Sequence, residues 1–260
     1  MPRANRYFIP GYIWHITHRC HKRDFLLKFD QDKKRWLYWL FQAKKRFSLP
    51  VLNYCVTSNH IHLLAYSKTD DAVAKSMQLV AGRVAQEYNL RKKRSGSFWE
   101  DRYHATIVMQ NEHLFRCLRY IDLNMNRAGV VNHPREYPYT GFNEIVSPPQ
   151  RYSLIDRKML KSLCGFSTIE SFVSQYKEQI DQTCLKQQHR KDPKWTKSVA
   201  VGDAGFISEI KEKLGFKVKE RKTVIDEESC FLRVPAAPYS IDFDTKNGFL
   251  SSENMVFWDF

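Results

Sequence analysis

The sequence predicts an α+β protein: a ferredoxin-like antiparallel sheet of order βαββαβ, a further helix after it, and a C-terminal extension of mostly helical character. Three observations predict it. Segments with β-branched and aromatic composition alternate with segments whose apolar residues recur at helical spacing. Two of the strand-like segments are joined by only two residues, which makes them antiparallel neighbours. Ser147-Pro148-Pro149-Gln150 then interrupts the pattern, because consecutive prolines continue neither kind of element.

Taken in order, Gly11 to Arg19 follows Pro10 and is rich in aromatic and β-branched residues, which predicts the first strand. Asp30 to Phe47 predicts a helix, with Trp36, Leu37, Leu40, Phe41 and Phe47 approximating an apolar face and Lys and Arg on the other. Val51 to Thr57 and His60 to Tyr66 read as a hairpin closed by Ser58-Asn59. Asp70-Asp71 favour the start of a helix, which Val73, Met77, Val80, Val84 and Tyr88 continue until Arg91-Lys92-Lys93-Arg94. His104 to Gln110 predicts the fourth strand. Asn111 stands where it would cap a helix carrying Leu114, Leu118 and Ile121. We therefore place one domain over residues 1–147 and an extension over 148–260, with helices such as Thr168 to Cys184 and Phe206 to Leu214, and a few strands or an irregular tail over 225–260.

Charge separates the two parts. Residues 1–150 hold 24 Lys and Arg against 12 Asp and Glu, a net +12, whereas residues 151–260 hold 18 against 16, a net +2. Such an excess predicts a polyanionic partner, because each neutralised phosphate releases counterions and the long-range field steers association. The six cysteines form no CxxC pair and no dense framework, so neither a zinc ribbon nor a secreted disulfide scaffold is indicated, which suits a reducing cytoplasm. No run approaches the ~20 apolar residues of a membrane span, so we expect a soluble cytoplasmic protein without membrane contact, nucleoid-associated if the polyanion is DNA.

His60-Ile61-His62 places two imidazoles on one face of a strand, with Cα atoms about 6.6 Å apart. Both can hold one metal ion if another element brings a third ligand. Tyr120 and Asn124, four residues apart in a helix-like segment, put a nucleophilic phenol and a carboxamide oxygen on one face. Metal, nucleophile and basic surroundings together suggest an enzyme that cuts and rejoins DNA.

The stretch from Pro10 to Phe142 resembles the single-tyrosine HUH transposases, specifically the REP-associated tyrosine transposases of bacteria. The resemblance rests on Pro10-Gly11 with His15-Ile16-Thr17-His18-Arg19, then Asn59-His60-Ile61-His62-Leu63-Leu64. It continues through Tyr88-Asn89, Gly96 to Tyr103, and Tyr120-Ile121-Asp122-Leu123-Asn124 with Arg127-Ala128-Gly129. It implies that His60, His62 and Asn124 bind Mg²⁺ or Mn²⁺, and that Tyr120 attacks single-stranded or hairpin DNA of the REP type, leaving a 5′-phosphotyrosine. Met125-Asn126 and Tyr139-Thr140-Gly141 depart from the family pattern without touching these residues.

Arg19, Arg91, Lys92, Lys93, Arg94, Arg102, Arg116 and Arg127 are expected phosphate contacts, and Trp99 a surface for stacking unpaired bases. His15 reads as structural or DNA-facing rather than as a ligand. The competing readings are a replication initiator using the same chemistry and a catalytically silent DNA-binding protein; the chain itself is expected to be a monomer or a homodimer. On the charge split, a chain ending near Pro148 is expected to keep the chemistry, with the remainder acting as an accessory DNA-binding or regulatory part.

Overall fold

The computed structural model describes residues 8–186 and 192–233. β1 (Tyr12–Arg19), α1 (Asp30–Phe47), β2 (Val51–Val56), β3 (His60–Ser67), α2 (Ala72–Arg91) and β4 (His104–Val108) follow the expected order within a residue or two. α3 (Glu112–Asp122), α4 (Asn124–Arg127) and α5 (Phe142–Val146) complete the region before the prolines. Beyond them come α6 (Arg157–Leu163), α7 (Ile169–Leu185), α8 (Lys194–Lys197), β5 (Ser198–Gly202), α9 (Ala204–Leu214), β6 (Lys222–Ile225) and β7 (Cys230–Arg233). The expected tail falls largely on residues 234–260, outside the described residues.

The described strands form one seven-stranded sheet in the order β2-β3-β1-β4-β5-β7-β6. The first four strands are the ferredoxin-like arrangement, antiparallel throughout, and β5 continues it by pairing parallel with β4. The change of composition at residue 147 is therefore not a gap in packing. The later strands share the sheet with the earlier ones.

Register decides which side chains share a face, because residues directly opposite in an antiparallel pair point the same way. Thr17 faces His62 and Arg19 faces His60 on β3, while His15 faces Thr106 and Thr17 faces His104 on β4. His15, His60, His62 and Thr106 thus lie on one face. The opposite face carries Trp14, Ile16, His18, Ile61 and Leu63, and α1 and α2 pack there; Trp99, stacked on His18 at 4.0 Å, donates its indole N–H to the Ala81 carbonyl of α2. The histidine face is covered instead by α3 and α8. Helices therefore cover both sides of the sheet. The apolar residues of the face opposite the histidines need α1 and α2, whereas the polar face is closed by elements that bring chemistry to it.

Two local expectations are corrected. Asn111 sits at φ 59° and its side chain makes no cap; Phe115 N–H bonds its backbone carbonyl instead, as an ordinary helical turn. The helix with Tyr120 does not run on to Asn124. It ends at Asp122, passes Leu123 at φ −77°, ψ 5°, and restarts as the single turn α4. Leu123 N–H still bonds the Arg119 carbonyl and Arg127 N–H the Leu123 carbonyl, so hydrogen bonds of helical spacing are kept on both sides of the break.

Asp122 fastens this break to the extension. Its buried carboxylate accepts from the Thr140 hydroxyl at 2.5 Å and from the Tyr176 hydroxyl of α7. Burial outweighs those hydrogen bonds and raises its pKa from 3.8 to about 6. A raised carboxylate pKa means that the folded state prefers the proton, so this contribution to stability is full below pH 3.8 and is lost as pH rises to about 6. Wild type should gain up to about 3 kcal/mol relative to Asp122→Asn between pH 7 and pH 4. Parallel denaturant melts of the two proteins measure it; a difference independent of pH would show that Asp122 is ionised throughout.

Candidate active site

The start of β3 presents His60 and His62 beside the exit of β1, where Cys20 N–H bonds the Asn59 carbonyl. The Thr57 hydroxyl donates to the His60 carbonyl at 2.8 Å and accepts from His60 N–H at 3.1 Å, closing the Ser58-Asn59 turn. His60 Nδ1 lies 2.7 Å from Asn59 Oδ1, an oxygen that can only accept, so Nδ1 carries a hydrogen and, in the neutral ring, Nε2 is the nitrogen with the lone pair. The rings of His60 and His62 are 5.0 Å apart at 78°.

His62 is buried, and α3 and α4 close over it. The Tyr120 ring stands 5.9 Å from the His62 ring, edge to face, and Asn124 Nδ2 lies 3.0 Å from His62 Nε2. The chain break at Leu123 therefore leaves the predicted quartet together: His60, His62, Tyr120 and Asn124 meet on the polar face of the sheet. His62 is held neutral, its pKa pushed well below 6.5 first by burial and then by electrostatic interaction with His60, His15, Arg127 and Arg19, each disfavouring a second proton on its ring. Neutral imidazole is the form that binds metals.

The amide as third donor sets this group apart from a carboxylate site, and among the described residues no cluster of three His, Cys, Asp or Glu is placed to hold a metal ion. Two neutral imidazoles and one carboxamide nevertheless form a sound donor set. A half-turn of the Asn124 amide exchanges its nitrogen for its oxygen toward His62 Nε2. Nitrogen donors without a carboxylate suit Mn²⁺ better than the oxygen-demanding Mg²⁺.

Tyr120 is only 7 % exposed. Burial raises the pKa of its phenol above 10, opposed by the Arg127 charge and by a hydrogen bond with the Thr196 side chain. The phenol is thus protonated at neutral pH. Arg127 lies 4.3 Å over the Tyr120 ring and donates to the Tyr120 backbone carbonyl at 2.6 Å.

Three residues of this site were not predicted for it. Trp195 and Thr196 of α8 pack on the phenol, with the Trp195 ring 6.2 Å from that of Tyr120. His15, buried behind His62, has its Nε2 2.9 Å from His62 Nδ1 and its Nδ1 2.8 Å from the Trp195 carbonyl. Burial lowers its pKa from 6.5 to about 3. The pairing of His15 could have been sought from the strand alternation, since it shares a face with His62 in adjacent strands. Nothing in the local sequence marks Trp195 or Thr196.

The expected DNA-contacting residues divide. Arg19 is exposed opposite His60, and its carbonyl accepts from Glu100 N–H in the loop that leads to exposed Arg102. Both therefore stand at the histidine end of β1. Lys92 and Lys93 are exposed at the end of α2, with Lys92 5.3 Å over the ring of exposed Phe29. Arg91 is tied to Asp32, Arg94 to Asn89 and the Ser97 carbonyl, and Arg116 to Glu112 and Glu228. Trp99 is corrected: it is buried, its face covered by His18 and its N–H satisfied, so it offers unpaired bases no surface.

Residues 9–124 match the family described as IS200-like transposase. Among solved structures, a REP-associated tyrosine transposase bound to a REP hairpin is 17% identical, over 56% of this chain and 86% of that one, with a TM-score of 0.48. A transposase from Deinococcus radiodurans R1, described as putative in its own name, is 15% identical over 44% of this chain and 88% of that one, with a TM-score of 0.32. No curated protein matches the sequence.

Proposed function

We propose, from the match of residues 9–124 to the IS200-like transposase family, that the chain is a metal-dependent endonuclease and strand transferase for single-stranded DNA. The observation that carries the proposal is the meeting of Tyr120, His60, His62 and Asn124 on one sheet face, from elements some 60 residues apart. A silent DNA-binding protein needs none of these four groups. Their convergence favours catalysis.

His60, His62 and Asn124 would hold a divalent cation, Mn²⁺ or Mg²⁺, which supplies Lewis-acid polarisation of the scissile phosphodiester. Tyr120 supplies the nucleophile. Its phenolic oxygen attacks phosphorus, the new P–O bond replaces the bond to the 3′-oxygen, and the 3′-hydroxyl leaves with a proton. The 5′-phosphotyrosine keeps the diester energy, so a later hydroxyl can reseal the strand without ATP. Arg127 over the ring favours the developing phenolate. Arg19 and Arg102, exposed at the histidine end of the sheet, would contact flanking phosphates.

As substrate we propose REP-type hairpins, on the strength of the sequence resemblance and the basic first part of the chain. Incubation with a labelled single-stranded hairpin library and Mn²⁺, followed by sequencing of the covalently attached strands, tests it. A defined hairpin family with 5′ attachment supports the proposal, and binding with no attachment favours the silent DNA-binding protein.

His62→Ala should cost more cleavage than Asn124→Ala. His62 is a buried strand ligand fixed from behind, whereas water can partly replace a neutral amide. Cleavage rate titrated against Mn²⁺ measures both. Normal cleavage by His60→Ala and His62→Ala at micromolar metal would remove the metal from the mechanism.

A further inference from the structure

We propose that His15 is a positioning residue for His62, and that the backbone carbonyl of Trp195 fixes through it the tautomer His62 needs to bind a metal ion, so that the extension completes the site. This rests on the reading of His60, His62 and Asn124 as metal ligands.

The chain of hydrogen bonds has a single consistent direction. The Trp195 carbonyl can only accept, and it lies 2.8 Å from His15 Nδ1, so that nitrogen carries the hydrogen. Both rings are buried and neither has a carboxylate among its hydrogen-bond partners, so each holds one hydrogen. His15 Nε2 is then an acceptor, and at 2.9 Å it takes the Nδ1–H of His62. His62 Nε2 is left with its lone pair toward Asn124, whose Nδ2 donates to it at 3.0 Å. The Asn124 amide, turned with Nδ2 toward His62, is compatible with the hydrogen placement that the Trp195 carbonyl sets. The two ring planes lie only 12° apart with centroids 5.1 Å apart, the arrangement of an edge-to-edge N–H···N bond, which also fixes the plane of His62.

A ligating histidine commonly gives its other N–H to a carboxylate or a backbone carbonyl. Here the carbonyl is reached through a second imidazole. It belongs to a residue 133 positions after His62, held in place because Thr106, opposite His15 on β4, donates to the Trp195 and Ser198 carbonyls at 3.3 and 2.7 Å. Lys194, beside Trp195, is anchored by Asp192 and Asp226, each at 3.1 Å. The relay thus depends on parts of the chain well beyond the prolines.

Mn²⁺ binding to the full chain, read by the electron paramagnetic resonance of free Mn²⁺, tests the relay in wild type, His15→Phe, His15→Gln and His62→Ala. His15→Phe fills the space without an acceptor and should weaken Mn²⁺ roughly 10- to 100-fold. His15→Gln, whose amide can accept from His62 and donate to Trp195, should return to within a few fold of wild type. Equal loss in His15→Phe and His15→Gln, or no loss in His15→Phe, overturns the relay while leaving the metal site intact. Unchanged binding in His62→Ala overturns the metal reading itself. Nitrogen-15 correlation spectra of the metal-free wild type give a readout independent of metal and of folding in the variants: hydrogen on His62 Nδ1 is expected, and hydrogen on Nε2 overturns the relay.

Discussion

Replacing Tyr120 with Phe is expected to abolish the covalent protein–DNA adduct while leaving hairpin binding within a few fold of wild type. The substitution removes one oxygen, the proposed nucleophile, and little else. The ring keeps its place between the His62 ring and Trp195, 5.9 and 6.2 Å away, and Arg127 keeps its position over the ring. The lost hydrogen bond with the Thr196 side chain costs about 1 kcal/mol of stability, far below what unfolds a domain. A denaturing gel of labelled hairpin incubated with Mn²⁺ separates the outcomes, with an adduct for wild type only. An adduct that persists in the variant means that another residue attacks.

A chain ending near Pro148 is expected to lose both stability and adduct formation, although composition alone suggested that it would keep the chemistry. Truncation there removes Phe172, Tyr176 and Ile180 of α7, Trp195 of α8, Ala200 and Val201 of β5 and Leu232 of β7, all buried. Burying one large apolar side chain contributes about 1.5–3 kcal/mol, and a domain is stable by only about 5–15 kcal/mol. Removing this set strips partners from Phe115, which packs against Phe172 and Tyr176, and takes the parallel neighbour from Ile107 and Val108. It also uncovers Tyr120 and leaves Asp122 without the Tyr176 hydroxyl. Circular dichroism melts of the truncated and full chains, with the adduct gel, decide the matter. A cooperative melt and a normal adduct from residues 1–148 would show that the later elements are accessory.

The resemblance to the transposase family and the four groups of the site were legible in the sequence for a specific reason. Alternation at period two put His60 and His62 on one face, and a helical step of four related Tyr120 to Asn124 closely enough to survive the break at Leu123. The element boundaries were legible too, because Pro50, Ser58-Asn59 and Asp70-Asp71 act within a few residues of themselves. Reading Trp99 as a stacking surface failed because aromatic residues beside arginines suit a core and a nucleic-acid surface equally. Only packing against His18 and Ala81 distinguished them.

What the sequence determined by itself is therefore local: strand and helix periods, the turns between them, the excess positive charge of the first part, and the identity of the groups able to do chemistry. The tertiary structure alone decided which of those groups acquire neighbours. The charge split and the paired prolines pointed to an appendage after residue 147, yet β5 joins β4, α7 reaches Asp122, and α8 supplies Trp195 and Thr196 to the nucleophile and a carbonyl to His15. These contacts join residues 54 to 180 positions apart. No periodicity spans such distances, because a period records only the geometry of one element, whereas a long-range contact is fixed by which faces the whole chain must bury together.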